Sequence, residues 1–363
     1  MEKNYSYYRQ VWKRLLRNRP AVFGLLIITV TLLVAIFAYA VAPDNSPNAD
    51  LQTVEIQAMK PGHSQLFLLL PDSTPARNGV IDAFFNGTIP GARYVPITGY
   101  AVHGNQLAVQ KYIDEDTAIT QFYNISTLTS NKPHELENLL VTRKFLLGTD
   151  AYGRDILSRL MIGTRVSLAV GSVALLISLL LGITLGALAG YYRGWVDAIV
   201  MWFVNISWSI PTLLLAFAFS MALGKGFWQV FVAIGLTMWV SVARLVRGQV
   251  MAVKEMEYVQ AAEALGYTDR RIIIRHILPN IIGPVMVIAA GNFASAIIIE
   301  AGLSFLGIGV QPPMPSWGLM IKENYNFIIT HNPFLAVVPG LAIMLLVLAF
   351  NLVGNGLRDA LSE

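Results

Sequence analysis

The sequence predicts an all-α membrane protein with six transmembrane helices and a small extracytoplasmic α+β insert between the first two. The 363 residues are 55% hydrophobic and only 13% charged, whereas a soluble domain carries about 25% charged residues. Long uncharged stretches recur along the chain, and about 20 helical residues cross a hydrocarbon core of roughly 30 Å. The six stretches are 20–43, 166–190, 198–224, 226–243, 280–299 and 333–356.

These stretches divide the chain into three regions. Residues 1–43 hold an N-terminal tail and the first span, residues 44–145 form the insert, and residues 146–363 form a core of five spans with a cytoplasmic loop at 246–279. The first stretch is too long for a signal peptide and lacks a small-residue cleavage site after it, so it is expected to be a retained span.

Positive charge predicts the orientation in the bilayer. Basic residues cluster in the tail and after the fourth span, while the short loops on the other side hold only Lys225 and Lys322. By the positive-inside rule both termini are expected in the cytoplasm. The net charge of +4 therefore reports topology and does not imply nucleic acid binding. The clustered residues are Lys3, Arg9, Lys13, Arg14, Arg17, Arg19, Arg244, Arg247, Lys254, Arg270, Arg271 and Arg275.

The insert mixes strand-like and turn-like segments. Residues 65–70 and 94–97 read as strands, and 100–102 with 107–112 read as a hairpin around Gly104 and Asn105. Residues 116–126 read weakly as a helix. The insert is either a passive spacer or a docking surface for a partner, and its sequence leaves both open.

Residues 154–163 predict an amphipathic helix on the outer membrane surface before the second span. Ile156, Leu157, Leu160 and Met161 share one helical face, and Asp155, Ser158 and Arg159 lie opposite. Within the second span, small residues recur every fourth position, which lets helix backbones approach closely in lipid. These are Gly182, Gly186 and Gly190. In the third span Pro211 is expected to kink the helix.

No catalytic or metal-binding constellation is found in the sequence. The five histidines lie outside the spans without metal-ligand spacing, there are no cysteines, and no GxxxxGK[ST] phosphate-binding loop occurs. An ion-coupled carrier would need an ionisable group within a span. Glu300 is the nearest case, but it follows 20 uncharged residues and is expected at the outer interface, where it would stay solvated.

The cytoplasmic loop predicts a helix, a turn and a second helix. Residues 254–265 form the first helix, stopped by Gly266, and Thr268 caps a second helix over 269–278 that Pro279 ends. The small residues Ala261, Ala262 and Gly266 near the turn would let this loop enter a groove on another protein. The alternative is a solvated, basic hairpin beside the membrane.

The loop resembles the EAA loop of permeases from ATP-binding-cassette (ABC) importers. The matching residues are Gln260, Ala261 and Ala262, then Gly266, and finally Leu278 and Pro279 at the family's spacing. Two positions depart from the family pattern, since Gln260 replaces the usual Glu and His276 the usual Ile. A salt bridge from position 260 is therefore excluded, although insertion of the helix is not.

Three further segments resemble the C-type membrane subunit of oligopeptide, dipeptide and nickel importers. They are 147–159, 300–318 and 339–361, the last with Asn355 where the family often has Asp. Their motif residues are Gly153, Arg154, Asp155, Glu300, Gly307, Pro312, Pro313 and Trp317. The insert is longer than the usual connection of that family.

The resemblance implies the fold of an ABC type I importer permease, which forms half of a translocation pathway for peptides and has no enzymatic site. It also implies a second homologous permease, two cytoplasmic ATPases that bind ATP, and an extracytoplasmic solute-binding protein. No cofactor or metal is expected in this chain. A secondary carrier, an ABC exporter subunit and a membrane receptor are the alternatives. The substrate stays open among dipeptides, oligopeptides, nickel chelates and sugars.

Overall fold

The computed structural model describes residues 2–71, 79–114, 117–128, 133–224, 226–330 and 332–362. The chain forms two compact units. The helical unit comprises Met1–Leu33, Val166–Gln311 and Gly340–Glu363, and the sheet unit comprises Val34–Arg165 and Pro312–Pro339. Residues 146–165 and 312–339 thus group with the insert in the structure, whereas the sequence-based division placed them with the permease core.

The long helices lie on both sides of the insert in the chain. In chain order they are α1 (Glu2–Arg17), α2 (Arg19–Val41), α3 (Val80–Asn86), α4 (Ile125–Leu128), α5 (Ile156–Tyr192), α6 (Gly194–Ser209), α7 (Thr212–Leu223), α8 (Phe227–Lys254), α9 (Glu257–Ala264), α10 (Asp269–Ile272), α11 (Leu278–Phe305), α12 (Trp317–Asn324), α13 (Phe327–Thr330) and α14 (Phe334–Ser362). A π-helical turn over Ile273–Ile277 joins α10 to α11. The strands are β1 (His63–Pro71), β2 (Ala92–His103), β3 (Gln106–Tyr112), β4 (Ala118–Asn124) and β5 (Leu140–Phe145).

Five helical segments of the described residues are long and apolar enough to cross a membrane, or six if the bent pair α6–α7 is one span. That pair bends by 100° at Pro211, where Ile210 adopts an extended conformation (φ −103°, ψ 129°). A proline has no N–H for the helix ladder and disfavours helical geometry in the residue before it. The kink expected at Pro211 is therefore present as a complete break.

The sheet unit holds a five-stranded antiparallel sheet in the order β4-β3-β2-β1-β5. The predicted strands and hairpin are confirmed, since His103 pairs with Gln106 across the turn and Gly104 has a φ of +58°. The helix predicted over 116–126 is wrong over 118–124, because Ala118–Asn124 is a strand paired with β3 along its length; residues 125 and 126 belong to α4. Its aromatic and β-branched residues suit this pairing; Asp116 lies outside the described residues.

Helix α5 is a single helix of 37 residues, so the separate surface helix predicted over 154–163 is wrong. Ser158 and Arg159 on its supposed solvent face are fully buried, and Asp155 is 5% exposed. They are buried because they meet charged and polar partners from distant segments, which a helical periodicity does not reveal.

The loop over residues 246–279 also departs from its prediction at one end. Pro279 does not end the second helix, because it lies in the first turn of α11, where the missing N–H of a proline costs no intrahelical bond. Asp269–Phe305 therefore runs as one helical segment of 37 residues. The first loop helix, Glu257–Ala264, is separated from α8 by a short break after Lys254.

The two ends of the chain meet within the helical unit. Val11, Leu15 and Ala21 form an apolar cluster with Ala360. Arg14 Nη1 donates to the carbonyl of Ala360 (3.4 Å). These contacts place the N-terminal tail and the end of α14 on the same side of the unit.

Candidate functional site

The segment around Arg154 builds a buried charge cluster in the sheet unit. We use that term for Arg154, Arg159, Asp50, Asp150 and Glu323. Arg154 lies at its centre: its Nε donates to Asp150 Oδ2 (2.7 Å), its Nη1 to Asp50 Oδ1 (3.1 Å) and its Nη2 to Glu323 Oε2 (2.7 Å). Arg159 Nη2 donates to the same Glu323 oxygen (3.2 Å). Three stretches of chain are thereby joined by charge-assisted hydrogen bonds.

Burial and charge oppose each other in this cluster. The side chains of Arg154 and Arg159 are 2% and 1% exposed. Burial disfavours the charged guanidinium of Arg154, but the charges of Asp150 and Glu323 outweigh it and raise the pKa of Arg154 above its usual value. Two positive and three negative groups share the site, so removing either arginine would leave buried carboxylates without compensation.

Gly153 and Asp155 shape the backbone that presents this cluster. Gly153 has a φ of +73°, and a Cβ there would lie 1.7 Å from the Thr53 carbonyl oxygen, so only glycine fits. The Ser158 hydroxyl donates to Asp155 and accepts from the Asp44 N–H (2.8 Å). Burial raises the pKa of the Asp155 carboxyl, which the hydrogen bonds from Ser158 partly offset.

Glu300 lies near the end of α11 and is fully buried. The expectation that it would stay solvated is therefore wrong. Its Oε1 accepts a hydrogen bond from the Ser304 hydroxyl (2.7 Å), which in turn accepts from the Val310 N–H (3.2 Å). Between Ser304 and Val310, Gly307 ends the helix with a φ of +86°. The carboxylate thus holds the turn that follows α11.

The remaining residues of the 300–318 motif lie in the sheet unit. Pro312 and Pro313 are joined by a cis peptide bond. Trp317 is 3% exposed, and its Nε1 donates to the Leu160 carbonyl (3.0 Å). Ser316 caps α12 by accepting from the Leu319 N–H (3.1 Å). The motif therefore positions α12, which carries Glu323 into the charge cluster.

In the loop over residues 246–279, α9 has an inner and an outer face. Val259 and Ala262 are buried in an apolar cluster with residues of α5, α8 and α11. Ala261 is exposed, and so is Gln260, whose Nε2 donates to the Glu255 carbonyl (3.3 Å). Large apolar side chains also face outward on this element: Met256 (51% exposed), Tyr258 (45%) and Leu265 (73%).

Gly266 ends α9 in a Schellman motif. The N–H of Tyr267 bonds the Ala262 carbonyl (3.2 Å) and that of Gly266 bonds the Glu263 carbonyl (2.9 Å). Gly266 has a φ of +76°, and a Cβ there would meet no atom of this chain within 4 Å. The glycine is therefore required by its backbone conformation, and its surroundings within the chain are open. The ring of His276 stacks on Tyr267, with ring centroids 5.8 Å apart.

Polar contacts tie the loop to the long apolar helices α5 and α8. The Tyr191 hydroxyl at the end of α5 donates to Asp269 Oδ1 (3.0 Å), and Lys254 Nζ donates to the Tyr191 carbonyl (2.9 Å). Leu278 packs against the same apolar cluster as Val259 and Ala262, while Pro279 is exposed. A displacement of α9 would therefore be transmitted to α5, α8 and α11.

The glycines of the second span lie against α8. A Cβ on Gly182 would come within 2.5 Å of Val242 Cβ, one on Gly186 within 2.5 Å of the Ala243 carbonyl oxygen, and one on Gly190 within 2.7 Å of the Arg247 carbonyl oxygen. These distances leave no room for any side chain at the three positions. Close packing of α5 and α8 thus depends on them.

The bend between α6 and α7 borders a cavity of about 380 Å³. Its wall includes Trp208, Ser241 and Asn292. Asn292, about halfway along α11, is within hydrogen-bond distance of the hydroxyls of Ser241 (3.3 Å) and Ser178 (3.4 Å). This cavity combines apolar walls with a few convergent polar groups, as ligand sites do.

Sequence reasoning missed several of these residues. Asp50 and Glu323 lie outside every motif, and Asp150 lies within the 147–159 segment without being one of its motif residues. Their role follows only from their contacts with two arginines. Asn292 could have been noticed as a lone amide within an apolar stretch. Arg244 was assigned to the cytoplasmic segment, whereas the structure places it within α8.

Residues 182–363 match the protein family described as "Binding-protein-dependent transport system inner membrane component". The chain belongs to this family. The permease is therefore a multi-pass inner-membrane protein of an ABC importer and not itself an enzyme. Residues 6–57 also match the "N-terminal TM domain of oligopeptide transport permease C", which confirms the resemblance to C-type subunits.

Two relatives illustrate the similarity of the permease to known transport proteins. It is 45% identical over 215 residues to the glutathione transport system permease protein GsiD of Pectobacterium atrosepticum (59% of this chain, 71% of the relative). It is 44% identical over 214 residues to the dipeptide transport system permease protein DppC of Alkalihalophilus pseudofirmus (59% and 70%). A solved inward-facing structure of the MetNI methionine ABC transporter aligns with a TM-score of 0.46 at 20% identity, covering 57% of this chain and 95% of that chain.

Proposed function

We propose that the permease is the C-type subunit of an ATP-driven importer of short peptides, glutathione among them. It would form half of the translocation pathway beside a second, homologous permease. A solute-binding protein would deliver the peptide, and two cytoplasmic ATPases would bind and hydrolyse ATP. Family membership and the relatives named for glutathione and dipeptide transport support this substrate class.

The observation that carries the proposal is the two-faced helix α9. Its inner face packs with three long helices through Val259 and Ala262, while its outer face exposes Tyr258, Ala261 and Leu265 to a partner. Beside it, a surface depression of about 320 Å³ is lined by Arg270, Arg271 and Arg275, which suits an acidic partner surface. An exposed apolar helix with a basic border is typical of a protein docking site.

We infer that closure of the ATPase dimer displaces α9 and thereby switches the spans between outward-open and inward-open states. Such a switch requires contacts that differ in free energy between the two states. The six-span topology, with α6 and α7 as one broken span, and cytoplasmic termini belong to the same proposal. The contact between the N-terminal tail and the end of α14 supports placing both termini on one side.

Reconstitution tests the proposed function. Proteoliposomes containing both permeases and both ATPases, supplied with the binding protein, should take up labelled dipeptide or glutathione when ATP is present and the proton gradient is collapsed. The purified permease alone should hydrolyse no ATP. Uptake that disappears with the proton gradient would instead indicate a secondary carrier.

Replacing Gly266 with valine should uncouple the ATPases. A non-glycine residue at a left-handed φ costs about 1–2 kcal/mol, which is roughly a tenfold change in the population of the docked conformation. ATP hydrolysis stimulated by the loaded binding protein should fall by that factor. Gly248→Val is the matched control, since Gly248 lies in α8 and a Cβ there would contact nothing within 4 Å. Equal stimulation in both variants would place the docking surface elsewhere.

A further inference from the structure

Arg244 contacts Trp208, which lines the cavity beside the bend between α6 and α7. Arg244 follows Ser241 by three residues on α8, about 4.5 Å along the helix axis. Ser241 contacts Asn292, which lies near the middle of α11. A charged residue inside a candidate span such as α8 is costly in a membrane protein and marks a pathway or a ligand site by default.

The charge of Arg244 is held without a carboxylate. Its Nη2 donates to Asn205 Oδ1 (3.0 Å), and its guanidinium lies 3.4 Å from the centre of the Trp208 ring. Its Nε is buried and donates no hydrogen bond among the described residues. Within that same part of the chain, no Asp or Glu oxygen lies within 4 Å of it.

The next arginine on the same helix shows the opposite arrangement. Arg247 forms a two-pronged ion pair with Asp197, at 2.5 Å from Nε and 2.6 Å from Nη2. Arg247 is thus neutralised by a carboxylate, whereas Arg244, one turn earlier on α8, is not. An uncompensated guanidinium with a free buried donor is suited to bind an anion in two-pronged geometry.

The surroundings of Arg244 lead into the cavity. Trp208 contacts one side of the guanidinium. Trp208 also lines the cavity, together with Ser207 and Ser241. Trp208 is 57% exposed and lies in the last turn of α6, just before the break at Pro211. A rearrangement at this break would move Trp208 and open the guanidinium to the cavity.

We propose that Arg244 recognises the carboxylate of a peptide in the translocation cavity, with Trp208 covering the guanidinium until substrate arrives. This assignment rests on the proposed peptide-import function and names a chemical requirement of its substrate. Every unmodified peptide carries a C-terminal carboxylate, so a single arginine would serve substrates of different side chains.

Uptake by the reconstituted complete transporter tests the role of the charge. Arg244→Met should lower peptide uptake per ATP hydrolysed about tenfold, the loss expected when a charged hydrogen bond is removed. Arg244→Lys should restore only part of it, because the positive charge is retained but the two-pronged geometry of the guanidinium is lost. The double variant Arg247→Met with Asp197→Asn is the matched control: it removes a neighbouring arginine together with its partner and should keep uptake within about twofold.

Direct binding separates recognition from packing. Labelled dipeptide and its C-terminal amide are added to the permease–ATPase complex in nanodiscs without binding protein. The wild type should prefer the acid by about tenfold, and Arg244→Met should show no preference. A wild type without that preference or without binding, or an Arg244→Met variant with unchanged uptake per ATP, overturns the assignment. Absence of ATP-driven peptide uptake by the wild type would instead overturn the proposed function.

Discussion

Replacing Arg159 with methionine is expected to destabilise the folded protein by about 3–5 kcal/mol, the loss seen when one member of a buried charge network is removed. The Arg159 side chain is 1% exposed and lies 3.2 Å from Glu323 Oε2 and 3.6 Å from Asp150 Oδ2. Without it, Arg154 alone would face three carboxylates. The change in stability is measured by thermal unfolding of the purified permease, with the loss of monodisperse protein as the readout.

An exposed ion pair provides the control for Arg159. Arg193 pairs with Glu255 (2.6 Å), but their side chains are 43% and 62% exposed, so Arg193→Met should change stability by less than about 1 kcal/mol. Adding Glu323→Gln to Arg159→Met should recover part of the loss, because it returns the cluster to its original net charge. Equal losses for Arg159→Met and Arg193→Met would contradict a stabilising charge cluster.

Gly186→Ala is expected to loosen the packing of α5 on α8. The added methyl would lie 2.5 Å from the Ala243 carbonyl oxygen, and backbone cannot rotate away as a flexible side chain can. Overpacking of this kind costs about 1–3 kcal/mol. The resistance of the protein to heat and to unfolding by sodium dodecyl sulfate should fall accordingly.

Gly291→Ala is the matched control for Gly186→Ala. Gly291 also lies within a long apolar helix, but a Cβ there would meet nothing within 4 Å. Alanine at such a position should leave stability unchanged or raise it by about 0.4–1 kcal/mol, because the unfolded chain loses freedom. If both substitutions had the same effect, helix propensity rather than close approach would govern the glycine positions.

The sequence by itself determined the features that depend on local patterns. Long apolar stretches predict spans because a helix must satisfy every backbone group inside the bilayer. The break at Pro211 and the cap at Gly266 follow from the backbone preferences of single residues, and the turn at Gly104 follows from a two-residue hairpin signal. The motifs of residues 246–279 and 147–159 also indicated the family, because their residue types and spacing can be read directly from the sequence.

Only the tertiary structure decided which polar groups are buried. Arg159 was expected on a solvent-facing side, and Glu300 at a solvated interface, yet both are fully buried. Glu323, the partner of Arg159, is 164 residues away in sequence, and no local periodicity reports such a contact. The faces of α9 likewise follow from packing, since Ala262 is buried and its neighbour Ala261 is exposed. Burial of a polar side chain depends on partners that folding brings from distant segments, because a buried charge is tolerated only where such partners compensate it.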